Sequence, residues 1–405
     1  NYLASAGREW SMANGQSSTI TWRMIGRVLG KTAVLFLLLN LLFAGLEPME
    51  TLGRLSLYNW LLPGRLRLPY GENPAESYNL SLNNVPAMLA SHAINRPKDD
   101  AEFRVLLIGD SGTWGWFLPN EDTLAGQLNA LGLETADGRT VAVYNFGYPV
   151  MALSKDVLLL DAAMQTDPDL ILWPVTLESF PRDKQLFPPL VQANPARMRR
   201  LIADYALDLD ANDGRFITAT FLDQTIVGQR RNLADWLRLQ QVGFAWAATG
   251  IDQAIPAQFD LRRSDFEADE SWQTFTQAAT LTTDDLAFDV LAAGMTAAGP
   301  VPVLLINEPM YISQGQNSDL RYNAFYPRWA YDQYRALLGE TAVAHNWPYL
   351  DLWDTIPPDE FTDTPVHLTA VGNKLYAAMV AEGIRPFLAE KPDLRHPNPQ
   401  GLITR

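Results

Sequence analysis

Between residues 103 and 389, short apolar runs alternate with segments whose apolar residues recur at helical spacing. Continuous apolar runs are typical of strands buried on both faces of a parallel sheet. Strand alternating with helix therefore predicts an α/β fold, in which helices flank a parallel sheet in three layers. The predicted strands are Phe103 to Ile108, Val141 to Tyr144, Leu170 to Val175, Val301 to Ile306 and Tyr349 to Leu352. The predicted helices are Leu124 to Leu131, Leu153 to Gln165, Leu286 to Ala297, Tyr331 to His345 and Val371 to Leu388.

An uncharged run, residues 32–46 (TAVLFLLLNLLFAGL), precedes this region. As a helix it covers about 22 Å of a hydrocarbon layer about 30 Å thick, and it spans that layer if it extends back to Gly26. Arg27 and Lys31 would then reach the interface. A cleaved signal peptide and a buried core helix are the alternatives. We expect a transmembrane anchor because nothing amphipathic flanks the run.

Charge is distributed unevenly along the chain. Residues 1–67 hold seven basic and three acidic residues, which gives a net charge of +4. Residues 68–405 hold 24 basic and 43 acidic residues, which gives a net charge of −19. So acidic a body repels phosphate backbones, which argues against nucleic acid as a partner. The basic residues before the apolar run predict a cytoplasmic segment 1–31 and an extracytoplasmic body. Because the chain has no cysteine, disulfides, thiolate metal sites and cysteine nucleophiles are excluded.

Three further segments complete the predicted organisation. Residues 47–102 are expected to form a membrane-proximal linker, in which 55–70 either lies along the membrane surface or packs on the body. Residues 181–282 interrupt the strand–helix alternation and are expected to form an insertion. Its tryptophans, Trp236, Trp246 and Trp272, are candidates for stacking on sugar rings, and the insertion could equally dock another subunit. Residues 390–405 form a C-terminal tail.

The carboxyl ends of parallel strands are where α/β proteins bind ligands. The first predicted strand ends in GDSGTWG, residues 109–115. A serine on such a strand-to-helix turn presents its hydroxyl at the sheet edge, with its own N–H directed toward an oxyanion. The segment resembles the nucleophile block of the SGNH, or GDSL, hydrolase superfamily, and this resemblance implies that Ser111 is a nucleophile.

The segment FTDTPVHLTAVG, residues 361–372, resembles the closing block of the same superfamily, in which an aspartate and a histidine share one loop. The resemblance implies that His367 is the general base and that Asp363 orients it. The superfamily spacing is Asp-x-x-His, whereas Asp363 lies four residues before His367. Thr364 occupies the expected place, so we expect one extra residue to loop out at Pro365. As an alternative, His367 simply caps the helix that follows.

Two middle blocks depart from the superfamily pattern. The segment NFGYPV, residues 145–150, resembles an NxGxPG block that supplies an oxyanion N–H, with Val150 in place of the last glycine. After the third strand, Glu178 falls where an oxyanion asparagine is expected, and a carboxylate there would repel the oxyanion. The candidate oxyanion donors are therefore Gly147, Val150 and Thr176. Glu178 is the questionable position.

The resemblance implies a membrane-anchored extracytoplasmic serine esterase or O-acyltransferase that acts on acylated carbohydrate or bacterial cell-envelope polysaccharide, without a cofactor or a metal. This layout is similar to that of the single-pass partners of membrane-bound O-acyltransferases. The implied partners are the lipid bilayer, a multi-pass membrane protein or larger membrane complex, and polysaccharide. The alternatives are a catalytically inactive SGNH-like subunit that serves assembly in a membrane complex, and a polysaccharide-binding protein without turnover.

Overall fold

The computed structural model describes residues 21–71, 77–80 and 82–389. Expectations for residues 1–20 and for the tail 390–405 lie outside this range. The chain divides into two compact units. One comprises the segment up to Pro48 together with Ala219–Arg230, and the other comprises Met49–Thr218 and the chain from Arg231 onward.

The larger unit contains a parallel sheet of five strands in the order β2-β1-β3-β4-β5. The strands are β1 (Glu102–Gly109), β2 (Thr140–Gly147), β3 (Leu170–Val175), β4 (Val303–Asn307) and β5 (Tyr349–Asp351). Each predicted strand is present within a few residues of its expected bounds. Helices lie on both faces of the sheet, so the predicted α/β fold class is confirmed.

The helices number thirteen over the described residues. They are α1 (Trp22–Leu46), α2 (Met49–Gly53), α3 (Leu57–Leu61), α4 (Val85–Ser91), α5 (Ser111–Trp114), α6 (Leu124–Ala130), α7 (Leu153–Ala163), α8 (Pro189–Ala193), α9 (Pro195–Tyr205), α10 (Arg230–Thr249), α11 (Phe288–Ala297), α12 (Arg328–Ala344) and α13 (Ala370–Ala389).

The hydrophobic core forms two layers, one on each face of the sheet. Successive strand residues alternate between them because side chains along a strand point to opposite faces. Leu106 and Ile108 of β1 belong to the layer under α7, α11 and α12. Val105 and Leu107 belong to the layer under α6 and α13. This burial on both faces explains why the strands are continuously apolar in sequence.

Residues 49–102, most of the expected membrane-proximal linker, lie within the larger unit. Leu68 and Met88 are part of its core, and the guanidinium of Arg67 is buried against the Asp252 carboxylate. Within residues 55–70, Tyr58, Arg65 and Leu68 are buried in the body, whereas Trp60 and Leu61 are 87% and 71% exposed, so packing on the body is compatible with contact to a membrane surface.

The expected insertion 181–282 is divided between the two units. Residues 181–218 and 231–282 pack in the larger unit, and residues 219–230 belong with α1. Trp246 and Trp272 are only 6% and 4% exposed. Their rings therefore belong to the protein interior, and the expectation that these two residues stack on sugar rings is wrong.

The smaller unit is built on α1. Of the described helices, α1 alone is long and apolar enough to cross a membrane, with 25 residues and a mean hydropathy of 2.0. At 1.5 Å per residue its length is about 37 Å, which exceeds a hydrocarbon layer of about 30 Å. The expected anchor, residues 32–46, is its C-terminal part. Within α1, Asn40 and Ala44 are the buried side chains.

Candidate active site

The nucleophile turn joins β1 to the short helix α5. Asp110 precedes the helix, and its Oδ1 accepts a hydrogen bond of 2.8 Å from the Gly112 N–H. This N-cap fixes the turn so that Ser111 begins the helix at the carboxyl edge of the sheet. A Cβ at Gly112 would lie 2.9 Å from the carbonyl oxygen of Val366. Glycine at this position therefore lets the loop that carries His367 approach the serine.

That loop, residues 361–368, is closed at its base. Phe361 and Leu368 form an antiparallel bridge, and the Thr362 N–H donates to the His367 carbonyl over 2.8 Å. The Thr364 hydroxyl accepts from the His367 N–H over 3.3 Å. Thr364 occupies the position of the aspartate in the superfamily pattern, and its hydroxyl thus stabilises the turn. This bracing accommodates the extra residue between Asp363 and His367.

The structure brings the three expected catalytic side chains together. Ser111 Oγ lies 2.9 Å from His367 Nε2, and His367 Nδ1 lies 2.9 Å from Asp363 Oδ1. The Thr362 hydroxyl donates to the same Asp363 oxygen over 2.9 Å. Burial opposes ionisation of Asp363, but the hydrogen bonds from His367 and Thr362 outweigh it and hold the pKa of its carboxyl below the ordinary value. An ionised Asp363 is suited to orient the imidazole and stabilise its cation.

The three candidate oxyanion donors differ in availability. The Gly147 N–H donates to Asn145 Oδ1 over 2.9 Å, and the Thr176 hydroxyl lies 2.9 Å from the Tyr326 hydroxyl. The Val150 N–H has no acceptor within the described part of the chain. Val150 adopts a left-handed φ of +81°, which costs a β-branched residue about 1–3 kcal/mol. Valine therefore takes the backbone conformation that the glycine of the resembling block would adopt without strain.

Glu178 lies on a short 3₁₀ turn after β3, and its carboxylate is paired. It forms an ion pair with Lys184, and Gln273 donates to both of its oxygens, over 3.1 and 3.3 Å. The Lys184 ammonium offsets the negative charge that the sequence places near an oxyanion, and the Gln273 amide adds hydrogen bonds. Gln273 comes from the expected insertion, so this segment contacts residues beside the sheet edge.

A fully buried lysine lies beneath the nucleophile turn. Lys155 Nζ donates to the carbonyls of Gly109 and Tyr148, each over 2.7 Å, and lies 2.7 Å from Asp156 Oδ1. These carbonyls belong to the ends of β1 and β2, so the ammonium joins the two strand ends. Burial raises the pKa of Asp156, although Lys155 opposes the shift. Burial, assisted by nearby Asp110 and Asp156, also raises the pKa of Glu308 well above its ordinary value.

A cavity of about 370 Å³ adjoins the triad on the Asp363 side. Phe117 and Phe259, whose rings stack 5.3 Å apart, form part of its wall with Phe325. The cavity is lined by Phe117, Phe259, Asp260, Leu261, Arg262, Arg263, Ala324, Phe325, Asp363, Thr364 and Pro365. Residues 259–263 come from the expected insertion, which therefore contributes to the surroundings of the triad.

Sequence reasoning misses two residues of the site. Trp116 stacks on the His367 ring with their centroids 5.9 Å apart, and the aromatic run just after the nucleophile block is a signal that could have indicated it. Lys155 falls on a predicted helix, where a single lysine looks like a solvated residue.

No group of three or more metal-ligating side chains is close enough to hold a metal ion within residues 21–71, 77–80 and 82–389.

Comparisons with known proteins give similarity only at the level of structure. No family model and no curated protein matches the sequence. Among solved structures, the inhibitor-bound aryl esterase of M. smegmatis is 13% identical with a TM-score of 0.33, covering 70% of this chain and 99% of that one. A lipase/acylhydrolase from Enterococcus faecalis is 18% identical with a TM-score of 0.33, covering 70% and 96%. A carbohydrate acetylesterase family member from Sinorhizobium meliloti is 12% identical with a TM-score of 0.31, covering 70% and 99%.

Proposed function

We propose that this chain is a serine esterase or O-acyltransferase of the SGNH type, anchored in a membrane by α1. One observation carries the proposal: Ser111, His367 and Asp363 form a continuous hydrogen-bonded chain with both links at 2.9 Å. A nucleophile in contact with a base, itself oriented by a carboxylate, is the arrangement that activates a hydroxyl for attack on a carbonyl.

In the proposed reaction, His367 Nε2 takes the proton of Ser111 while Oγ forms a bond to the acyl carbon of an ester. The resulting oxyanion is stabilised by the N–H groups of Ser111 and Val150. When the tetrahedral intermediate collapses, the ester C–O bond breaks and the leaving alcohol takes the proton from His367. Water or a second alcohol then gives its proton to His367 and attacks the acyl carbon. The bond from that carbon to Ser111 Oγ breaks, and Oγ takes the proton back from His367. Water completes hydrolysis, and a sugar hydroxyl completes transfer.

The proposed substrate is acylated carbohydrate or cell-envelope polysaccharide. Two features beside the triad support this choice. The aromatic rings of Trp116, Phe117 and Phe259 offer apolar faces of the kind on which sugar rings stack, and the cavity of about 370 Å³ has room for a sugar unit. The basic residues that precede the uncharged run 32–46, namely Arg8, Arg23, Arg27 and Lys31, support a cytoplasmic N-terminus and an extracytoplasmic body. With that topology, the bilayer, a multi-pass membrane protein and an exported polysaccharide are the proposed partners.

The test compares the purified chain with its Ser111→Ala variant on two substrates. We expect hydrolysis of 4-nitrophenyl acetate and deacetylation of an acetylated oligosaccharide, both abolished by the substitution. A mass increase of one acetyl group on the wild-type chain, released by added oligosaccharide, would support transfer. If a folded wild-type chain releases no acetate and acquires no acyl group, the enzyme proposal fails. The alternative of a catalytically inactive subunit, which the place of Glu178 in the sequence block of the oxyanion asparagine favours, would then replace it.

A further inference from the structure

The segment 219–230 is joined to α1 through a buried polar side chain in an otherwise apolar helix. Asn40 is 6% exposed. Its amide nitrogen donates to the Phe36 carbonyl over 2.9 Å, and its amide oxygen accepts from the Val227 N–H over 3.2 Å. Near the end of the helix, Gln224 also donates to Glu47 over 3.1 Å. An asparagine within an apolar helix is costly in lipid unless it is bonded. Here it is satisfied by a non-helical segment of its own chain.

Seven of the twelve backbone N–H groups of residues 219–230 have an acceptor within the same unit. Two threonine side chains supply acceptors. The Thr220 hydroxyl accepts from the Asp223 N–H over 3.3 Å, and the Thr225 hydroxyl accepts from the Gly228 N–H over 3.1 Å. The N–H groups with an acceptor in this unit are those of residues 220, 223, 224, 225, 227, 228 and 229. Non-helical backbone enters the hydrocarbon core only when its polar groups are satisfied, so the five remaining N–H groups favour a position at the interface, where water reaches them.

This turn-rich segment presents three large apolar side chains outward, beside the exposed polar residues Thr220, Asp223 and Arg230. Phe221, Leu222 and Val227 are 53%, 74% and 48% exposed. They accompany the exposed leucines of α1, among them Leu42 and Leu46, at 58% and 68%. The hydrogen bonds to Asn40 and Glu47 hold the segment against the helix, so its exposed apolar side chains accompany those of the helix, and exposed apolar surface of this kind marks an interaction site.

We propose that residues 219–230 form a second membrane-contacting element, which lies in the bilayer interface beside the C-terminal part of α1. Asn40 is six residues from the end of the helix, about 9 Å along its axis. Interfacial elements bury their apolar faces about 5–10 Å into the headgroup and acyl boundary. Asp223 and Arg230 are exposed and can remain among the headgroups. The bilayer is the occupant because the apolar surface is continuous with that of the anchor. The inference rests on the membrane-anchor part of the proposed function and is independent of catalysis.

Because the chain has no cysteine, single-cysteine labelling gives an unambiguous test. The full chain is reconstituted into nanodiscs of phosphatidylcholine and phosphatidylglycerol, with bimane attached in the Leu222→Cys variant. Doxyl-labelled lipid should remove roughly half of the bimane emission if the side chain lies at interfacial depth, while aqueous iodide should have little effect. The matched control is Val343→Cys on α12, which is 69% exposed and should show the opposite pattern. A Leu38→Cys label in α1 reports insertion of the anchor itself.

Each outcome decides the proposal. If the Leu222 label is quenched by iodide like the Val343 label while the Leu38 label is quenched by lipid, the anchor is inserted but the second element does not contact the membrane. Protection from both quenchers would indicate contact with protein and would also overturn the proposal. An unquenched Leu38 label would overturn the anchor and this inference together. An Asn40→Leu substitution should weaken doxyl quenching at Leu222, because the acceptor for the Val227 N–H is lost. None of these readouts depends on esterase activity.

Discussion

Replacing Lys155 by methionine should strongly destabilise the larger unit. The substitution keeps an unbranched side chain of similar length but leaves Asp156 buried without its cation. Removing one partner of a buried ion pair costs about 3–5 kcal/mol, a large part of the 5–15 kcal/mol that is typical of a folded domain. In the variant, Asp156 keeps the Trp173 Nε1 donor at 3.2 Å.

The loss of stability in Lys155→Met has two parts, the unpaired charge of Asp156 and the missing hydrogen bonds from Lys155. A second substitution separates them. In Lys155→Met with Asp156→Asn, no buried charge remains and the amide oxygen still accepts from Trp173. The carbonyl of Tyr148 then lacks its donor, a deficit of about 1–3 kcal/mol, while the Gly109 carbonyl keeps the Tyr148 N–H at 3.0 Å. We therefore expect the double variant to be roughly 2 kcal/mol more stable than the single variant.

Urea denaturation followed by tryptophan fluorescence measures these differences in the free energy of unfolding. The matched control is Lys184→Met, whose lysine is 32% exposed in its pair with Glu178 and should cost about 0–1 kcal/mol. In Lys155→Met, the pKa of Asp156 is raised further above its unfolded value. The folded chain then binds more protons between the two pKa values, so the stability deficit should shrink as the pH falls. The reasoning is refuted if Lys155→Met costs no more than Lys184→Met, or if the double variant is as unstable as the single one.

Three further substitutions address the site. Asp363→Asn should lower kcat/KM for 4-nitrophenyl acetate by roughly 10³–10⁴ because the imidazolium loses its counter-charge, and an unchanged rate would exclude Asp363 from the triad. Gly112→Ala should destabilise the chain by about 1–3 kcal/mol and reduce kcat, because the new Cβ pushes against Val366. A thermal melt measures the change in stability, and an ester assay measures the change in kcat. Glu178→Gln should change kcat/KM by less than about fivefold, since it removes only a partly exposed ion pair. A gain of roughly 10²–10³ would instead mean that the carboxylate opposes the oxyanion.

The sheet could be predicted from the sequence because burial on both faces makes its strands continuously apolar. Val303–Asn307 is fully buried and marked by such a run, whereas the three-residue edge strand β5 is only half-buried. The proximity of Ser111 to His367 follows from the same topology, since both loops lie at the carboxyl edge of one parallel sheet.

Other parts of the site depend on contacts that leave no local pattern. The carboxylate of Glu178 accepts hydrogen bonds from Gln273, 95 residues away, and no spacing rule connects them. Lys155 is buried because two strand-end carbonyls and Asp156 surround it, whereas a single lysine in a helix resembles a surface residue. Residues 49–102 belong to the expected linker, yet Arg67 is buried through its pair with Asp252. In each case a tertiary partner distant in the sequence determines the environment.

Reaction with a fluorophosphonate probe tests the central claim most directly, because the probe modifies a serine only when a neighbouring base activates it. The wild-type chain should gain one probe per molecule by intact mass, and peptide mapping should place it on Ser111. The Ser111→Ala variant should acquire none, and His367→Ala should react far more slowly. A folded wild-type chain that stays unlabelled, or a label that persists in Ser111→Ala, would contradict the account.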